Sequence, residues 1–296
     1  MVKKNKSNNL YIYFTIIIII IIVFIIIYNL FLYEDIIANK NINYELNKNG
    51  FVIIKDVFTD NQITYLKNNC NNNNFKIVKN YLINNPKLKN IIKTNLNENY
   101  IFQDYIFIIK KSMIHTCHRD NNSIFYNDLQ KHRSYTMLIY LEYMEKCLGV
   151  IPDSHIDANS HNINLTNNVI NLLCNKGTVI LFDANLIHVG ALNKKDDNLR
   201  IQMKITHKDD INAISYYNNY NKVLNENNNL PVYIRKAQKR LSCTFPFISS
   251  YTKEGIKKNS EEMKKGNEPT LSQKVYSYLL HGNPNFYNLE NAFNNS

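Results

Sequence analysis

The sequence predicts an α+β domain with a β-sandwich or barrel core, preceded by one apolar helix. Three observations support this. Residues 10–33 are apolar and uncharged, helix-type segments follow residue 59, and short strand-type segments recur from Tyr100 onwards with turn residues between them. The chain has 296 residues, of which 45% are hydrophobic, so it is long enough to bury a core and is not wholly disordered.

The composition excludes several other classes of protein. Seven Gly and six Pro exclude a collagen-like or Pro-rich architecture, and five Cys without a Cys-x-x-Cys pair exclude a zinc ribbon or a dense disulfide framework. The net charge is +11, but no basic run is interleaved with aromatic residues as in a nucleic-acid groove. We therefore interpret the positive charge as a solvated surface.

The apolar run at residues 10–33 is the clearest single feature of the chain. As a helix it would extend about 36 Å, which exceeds a hydrocarbon core of about 30 Å. A cleaved signal peptide would need a shorter apolar region and a small-residue cleavage site, for which only Ala38 is available. The sequence therefore predicts a retained single-pass anchor at residues 10–33, following a tail at residues 1–9.

The charges flanking this run predict its orientation. Lys3, Lys4 and Lys6 precede it, whereas Glu34 and Asp35 follow it. Because positive charge is retained on the cytosolic side of a membrane, we expect a cytosolic N-terminus and the domain after residue 33 on the lumenal or extracytosolic side.

The remaining segments are predicted in chain order. Residues 34–49 are polar and predict a linker, and residues 50–207 predict the folded domain. Within that domain we expect a strand at Phe51–Lys55, a helix capped by Thr59, a helix beginning at Pro86, and strands at Tyr100–Lys110, Ser134–Leu141, Val169–Leu173, Gly177–Phe182, Leu186–Leu192 and Leu199–Thr206. Residues 208–296 predict a C-terminal extension with one basic helix at Leu230–Leu241.

A metal-binding pattern follows the Tyr100–Lys110 strand. His118 and Asp120 are two residues apart, and in an extended backbone such residues point to the same face. His188, in a later short strand, is available as a third ligand. Two His and one carboxylate form the facial triad of non-haem Fe(II) oxygenases, which leaves coordination positions open.

Arg200 lies twelve residues after His188, across the polar turn at Asn193–Asn198. Arg200 and Gln202 alternate with apolar residues in its strand, so a hairpin would direct Arg200 into the cavity of the metal site. Its guanidinium is a planar, permanently charged group suited to binding a carboxylate. A surface ion pair with Asp196 or Asp197 is the alternative interpretation.

These residues resemble the Fe(II)/2-oxoglutarate-dependent dioxygenases, and among them the phytanoyl-CoA dioxygenase family, over roughly residues 46–207. His118-Arg119-Asp120 is similar to the family's His-x-Asp, and His188 and Arg200 are similar to its distal ligand and its 2-oxoglutarate arginine. Further similarity lies in Gly50–Phe58, in Ile139–Leu141, in the turn Gly149-Val-Ile-Pro-Asp-Ser-His155, and in Gly177–Asp183. Asp153 departs from the pattern, because the family usually has Gly there.

The resemblance implies a double-stranded β-helix, or jelly roll, with flanking N-terminal helices. It implies Fe(II), O2 and the cosubstrate 2-oxoglutarate, with ascorbate as a further cofactor. The implied reaction couples decarboxylation of 2-oxoglutarate to succinate with hydroxylation of a small molecule or a protein side chain. Asp120 argues against a halogenase, in which this position is left open for halide.

Other interpretations remain open. A membrane-tethered jelly-roll protein without catalysis, serving in binding or structure, is the main alternative, and an oxygenase acting on nucleic acid is disfavoured by the predicted orientation. His118-Arg119-Asp120 also resembles the protein-kinase catalytic loop, but position 125 is Phe where that loop needs Asn.

We expect structural roles, rather than metal or cosubstrate binding, for several other cysteine, polar and histidine residues. We interpret Cys117 as a buried small residue and keep a Cys147–Cys174 disulfide as a minor alternative. Gln103 and Tyr140 are expected to pack rather than to line the pocket. We assign no ligand role to five other histidines, His115, His132, His155, His161 and His207, and expect His155 to order its turn.

Overall fold

The structure is a computed structural model. It describes residues 3–28, 36–38, 43–111, 116–120, 123–124, 129–156, 163–164, 168–191, 197–213, 224–225, 227–246 and 270–284.

The described part of the chain combines helices with two β-sheets. The helices are α1 (Lys3–Ile27), α2 (Leu46–Asn49), α3 (Asp60–Asn71), α4 (Phe75–Ile83), α5 (Pro86–Asn95), α6 (Val232–Thr244) and α7 (Leu271–His281). The strands are β1 (Ile36–Ile37), β2 (Phe51–Ile54), β3 (Tyr100–Lys111), β4 (Tyr135–Tyr140), β5 (Met144–Val150), β6 (Ile170–Cys174), β7 (Val179–Asp183), β8 (His188–Gly190) and β9 (Asp197–His207).

The strands form a five-stranded sheet in the order β2-β7-β4-β9-β3 and a four-stranded sheet in the order β1-β6-β5-β8. From β4 onwards the chain passes back and forth between the two sheets, and all the pairings among β4 to β9 are antiparallel. This arrangement is a jelly-roll-like core within a mixed α+β fold. The α+β prediction is confirmed at this level.

The N-terminal helices cover the outer face of the five-stranded sheet. Thr59 caps α3 in a capping box with Gln62, and Asn85 caps α5, which has Pro86 in its first turn. The apolar faces of these helices, including Ile63 and Leu66, pack in one buried cluster with side chains of β4 and β9. Helix packing therefore determines which face of the sheet is the outer one.

The inner face of the same sheet carries the polar side chains. In β9 the alternate residues Leu199, Ile201, Met203 and Ile205 belong to the outer cluster. Because side chains alternate along a strand, Arg200 and Lys204 lie on the opposite face. That face is the one from which Leu138 and Tyr140 of β4 pack against the four-stranded sheet.

The predicted transmembrane span is not confirmed. Among the described residues, no helix has both the length and the hydropathy needed to cross a bilayer. Residues 29–33 of the predicted span lie outside the described residues. The described apolar side chains from Tyr11 to Ile27 are 41–72% exposed.

Several elements differ from the sequence prediction. The predicted linker contains β1, which pairs with β6, and the short helix α2. Helix α4 and strand β5 were not predicted. The predicted basic helix corresponds to α6, although its observed ends are Val232 and Thr244.

Candidate metal centre

His118 and His188 lie directly opposite each other on neighbouring strand segments. The backbone N–H of each donates to the carbonyl oxygen of the other, at 2.8 Å in both directions. Residues paired in this way project their side chains on the same side of the sheet. The imidazole centroids are therefore only 4.3 Å apart, although 70 positions separate the two residues in the chain.

Backbone carbonyls orient both imidazoles. Nδ1 of His118 lies 2.8 Å from the carbonyl oxygen of Thr116, and Nδ1 of His188 lies 2.9 Å from that of Leu186. A carbonyl only accepts, so each Nδ1 is assigned as the protonated nitrogen. This tautomer leaves the Nε2 lone pair of each ring as the potential metal ligand.

Asp120 completes a set of three ligands. Its backbone N–H donates to the carbonyl oxygen of Ala184 at 2.8 Å, which fixes the backbone beside the turn before His188. Its Oδ1 lies 3.7 Å from Nε2 of His188. One ligand atom from each of His118, Asp120 and His188 lies within 4.8 Å of the other two. The structure therefore brings together the three residues that the sequence predicts as metal ligands.

The second carboxylate oxygen of Asp120 has its own partners on the inner face of the five-stranded sheet. Oδ2 accepts hydrogen bonds from the hydroxyl of Thr136 and from the ammonium of Lys204. Lys204 also donates to Thr136 Oγ1 at 2.9 Å. Burial lowers the pKa of Lys204, while the neighbouring Asp120 carboxylate acts in the opposite direction. Oδ2 is thus held by protein groups, and Oδ1 points towards His188.

Sequence reasoning did not identify Thr136 and Lys204. Thr136 is a polar residue in the otherwise apolar strand β4, and Lys204 is one of several polar residues that alternate along β9. Their partnership with Asp120 depends on the register of β4 and β9, in which Thr136 lies opposite Lys204.

Arg119, the middle residue of the His-x-Asp triplet, organises the surrounding turns. Its side chain is 3% exposed, and its guanidinium donates to the carbonyl oxygens of Ser154, at 2.6 Å, and Asn185. It therefore joins the turn after β5 to the turn before β8. The metal-binding segment is attached in this way to both turns that flank it.

The turn before His188 is also anchored by Asp183. Asp183 accepts a hydrogen bond from the backbone N–H of Asn185 at 2.8 Å and forms an ion pair with Arg133 at 3.2 Å. Burial raises the pKa of Asp183, and these two partners oppose the shift. This anchoring contributes to the position of His188.

Arg200 lies on the inner face of β9, opposite Tyr140 of β4. Its guanidinium donates to the side-chain oxygen of Asn198, and burial lowers its pKa. No carboxylate among the described side chains forms an ion pair with Arg200, while the side chains of Asp196 and Asp197 lie outside the described part. A partly buried cation in this position is suited to an anionic ligand.

Three other predicted residues have defined surroundings. Tyr140 is fully buried and donates to the carbonyl oxygen of Cys147 at 3.0 Å, which is a packing role. His155 is buried, with Nε2 3.1 Å from the carbonyl oxygen of Asn47, so it links its turn to α2. Gln103 is 4% exposed, and within the described region its amide has no hydrogen-bond partner.

Asp153 adopts a backbone conformation that is unusual for a residue other than glycine. Asp153 has φ of 66°, in the left-handed region that favours glycine, and its Oδ1 accepts from the Asn49 side chain at 3.2 Å. The turn therefore keeps a glycine-type backbone conformation with an aspartate in place.

Cys117 is buried, as predicted, but its disulfide with Cys243 of α6 was not predicted. Cys147 and Cys174 are buried free thiols, so the minor alternative of a disulfide between them is wrong. The backbone N–H of Cys117 also donates to Ser242 Oγ at 2.8 Å. Helix α6 is therefore joined covalently to the residue that precedes His118.

The donor set fits a divalent transition metal. Two imidazole nitrogens and one carboxylate oxygen are the ligands of a non-haem iron triad, and their partners hold each donor in a defined orientation. The three side chains are largely buried, with Asp120 8% and His188 6% exposed as residues.

Comparisons with known proteins give structural similarity only. No protein-family model and no curated protein matches the chain.

Among solved structures, EvdO2 from Micromonospora carbonacea var. aurantiaca complexed with 2-oxoglutarate has a TM-score of 0.44 at 14% identity, covering 58% of this chain and 92% of that one. HygX from Streptomyces hygroscopicus with iron bound has a TM-score of 0.41 at 12% identity, covering 55% and 84%. The epimerase SnoN in complex with Fe3+, alpha ketoglutarate and nogalamycin RO has a TM-score of 0.44 at 9% identity, covering 55% and 81%. All three TM-scores are below 0.5, and the function proposed below rests on the chain's own residues.

Proposed function

We propose that the chain is an Fe(II)- and 2-oxoglutarate-dependent dioxygenase, with a double-stranded β-helix of the phytanoyl-CoA dioxygenase type. It acts as a hydroxylase, so that 2-oxoglutarate, O2 and substrate give succinate, CO2 and hydroxylated substrate. The observation that carries this proposal is the convergence of His118, Asp120 and His188, with both Nδ1 atoms and Asp120 Oδ2 already engaged by protein partners.

Iron, when bound, supplies the oxygen chemistry of this reaction. The chain's residues provide binding and orientation. Nε2 of both histidines and Oδ1 of Asp120 would hold the metal, while Thr136 and Lys204 keep Oδ2 of Asp120 in place. The buried apolar cluster between the sheets keeps water away from the inner face.

The inner face of β9 suits a dicarboxylate. Arg200 places a cationic group on the same face of β9 as Lys204, whose ammonium is already paired with Asp120, and 2-oxoglutarate carries a second carboxylate that Arg200 can bind. In our proposal Arg200 binds the carboxylate distal to the metal, because a guanidinium forms two parallel hydrogen bonds with a carboxylate.

The first test measures succinate formation by the full-length chain in detergent, with Fe(II), 2-oxoglutarate and ascorbate. We expect iron-dependent succinate even without an added substrate, through uncoupled turnover. Asp120→Asn should reduce it by on the order of 100-fold or more, because a charged metal ligand is lost. Asp104→Asn, which changes an exposed carboxylate of β3, is the matched control and should leave the rate unchanged.

A wild-type chain that binds iron but forms no succinate with any tested substrate would contradict the dioxygenase proposal. That result would favour the alternative, a jelly-roll protein of binding or structural function. Unchanged succinate formation by Asp120→Asn would contradict the ligand assignment.

The role of Arg200 is tested by separating cosubstrate binding from metal binding. Arg200→Ala should raise the KM for 2-oxoglutarate about 10- to 100-fold, which corresponds to losing about 1.5–3 kcal/mol of charge-assisted hydrogen bonding. Iron affinity should not change. The KM of Arg200→Lys for 2-oxoglutarate should lie between those of the wild type and Arg200→Ala. Equal losses of iron and 2-oxoglutarate affinity would argue that Arg200 is a packing residue.

We further propose that the chain is attached to a membrane through residues 10–33, with a cytosolic N-terminus and an extracytosolic catalytic domain. The uncharged sequence of these residues, the three lysines before them and the exposed apolar side chains of α1 support this proposal. The Cys117–Cys243 disulfide is a second support, because disulfides persist in oxidising compartments.

This attachment is tested by alkaline carbonate extraction and by protease protection of sealed vesicles. The full chain should stay in the membrane pellet, and its C-terminal part should resist protease until detergent is added. Release by carbonate would contradict the anchor, and digestion of the C-terminal part in sealed vesicles would contradict the orientation.

A further inference from the structure

A second group of metal-ligand side chains is partly exposed and shares no residue with the proposed iron ligands. His132, from the loop before β4, and His207, the last residue of β9, stack with ring centroids 3.8 Å apart. Asp209, in the turn after β9, has its Oδ2 3.6 Å from Nε2 of His132 and 3.5 Å from Nδ1 of His207. One ligand atom from each residue lies within 4.8 Å of the other two.

The backbone at this cluster is fixed before any ligand binds. Asp210, which is 1% exposed, accepts hydrogen bonds from the backbone N–H groups of Lys131 at 2.9 Å and His132 at 2.7 Å. His207 is paired with Tyr100 in the β3–β9 ladder, and their rings meet edge to face. The two histidines are therefore positioned by a buried carboxylate and by the sheet.

We propose that His132, His207 and Asp209 form a second divalent-metal site, suited to Zn2+. Ligand atoms of a tetrahedral Zn2+ at about 2.0–2.1 Å from the metal are about 3.3 Å apart, close to the 3.6 Å and 3.5 Å that separate Asp209 Oδ2 from the two histidine nitrogens. Two imidazole nitrogens and a carboxylate oxygen are ligands that Zn2+ accepts, and the partial exposure of the site allows water to be the fourth. The cation would replace the 3.3 Å hydrogen bond from the Asp209 backbone to His207 Nδ1.

The location of the site gives it a structural role. His207 follows Lys204 by three residues on β9, and His132 precedes Thr136 by four residues on the chain entering β4. Thr136 and Lys204 are the two residues that hold Asp120. A metal bound to both histidines would cross-link the start of β4 to the end of β9. These two strands carry Thr136 and Lys204, which hold Asp120.

The test uses untagged, metal-free, full-length protein that carries His118→Ala and His188→Ala, which remove the proposed iron site. Titration with Zn2+ against a chromophoric chelator should detect one equivalent of bound metal. Adding His132→Ala and Asp209→Asn should weaken Zn2+ binding by more than about 100-fold, beyond the 10- to 100-fold loss typical of an outer partner. Co2+ in place of Zn2+ should give the visible absorption of a four-coordinate site.

Lys208→Ala is the matched control, because it lies in the same turn and offers no ligand, and it should leave Zn2+ binding unchanged. Circular dichroism of each variant shows whether the fold is intact. Failure of the iron-site double variant to bind Zn2+ would overturn the proposal, as would retention of the bound equivalent after the changes at His132 and Asp209. Because both histidine ligands of the proposed iron site are absent throughout, the result is independent of the proposed dioxygenase function.

Discussion

At the residue scale, His118 and Asp120 are predictable from the sequence because their spacing alone puts them on one face of an extended segment. The pairing of His118 with His188 is not, because it depends on a backbone bridge between distant segments. His188 could be named as a third ligand from its place in a later short strand, and the resemblance to a family agrees with that choice. Thr136 and Lys204 lie outside the motif, and only the strand register reveals their contact with Asp120.

The support of Asp120 by Thr136 yields a prediction about metal affinity. Thr136→Val keeps the size of the side chain but removes the hydroxyl that donates to Asp120 Oδ2. We expect Fe(II) affinity to fall about 10- to 100-fold, as is typical when an outer partner of a metal ligand is lost. Anaerobic metal titration measures this loss. Thr136→Ser retains the hydroxyl and should bind Fe(II) nearly as the wild type does, whereas equal affinity in the Val variant would contradict the supporting role.

The left-handed conformation of Asp153 yields a prediction about stability. Asp153→Gly should leave the free energy of unfolding unchanged or raise it by up to about 1 kcal/mol, because glycine has no Cβ to strain a positive φ. Urea unfolding measures the change. Asp153→Ala is the matched control, since it loses the bond to Asn49 and keeps the strain, so it should be less stable than Asp153→Gly. The reverse order would show that the side chain of Asp153 determines the turn.

At the element scale, the clear patterns were predicted and the mixed ones were missed. Helix α3 has its capping box in the sequence, and β4 is an almost unbroken apolar run. Strand β5 was missed because Glu145 and Lys146 interrupt its apolar residues. Helix α4 was missed because it follows a run of asparagines whose composition says little about structure. The boundary of the folded domain at residue 207 stays a prediction.

Helix α6 connects the C-terminal extension to the metal centre. Cys117 and Cys243 belong to a buried cluster that includes Ile187 and Val189, the neighbours of His188. The sequence could not indicate this pairing, because the two cysteines are 126 positions apart and three others compete.

The disulfide between α6 and Cys117 yields a prediction about stability and metal binding. The double variant Cys117→Ser, Cys243→Ser should lose about 2–4 kcal/mol of unfolding free energy, because the unfolded chain is no longer cross-linked. Metal affinity should fall as well, since the segment before His118 is less constrained. A mild reductant should lower the thermal unfolding temperature of the wild type, because it breaks the disulfide. It should leave the unfolding temperature of the double variant unchanged. Identical unfolding of the wild type with and without reductant would contradict the link.

At the scale of the whole molecule, two sheets and one layer of helices determine where the site forms. Helices α3, α4 and α5 cover the outer face of the five-stranded sheet, so the charged residues of β9 are confined to the inner face. The four-stranded sheet provides His188 on β8, and the bridge to His118 extends that sheet by one segment. The α+β class and the two-layer core could be predicted from patterns, whereas the order of the strands could not.

The most direct measurement is a crystal structure of the protein grown anaerobically with Fe(II), with diffraction recorded on both sides of the iron absorption edge. We expect an anomalous peak within bonding distance of Nε2 of His118, Nε2 of His188 and a carboxylate oxygen of Asp120. A protein that takes up iron but shows the peak elsewhere, or that shows no peak among these three side chains at full iron loading, would contradict this expectation.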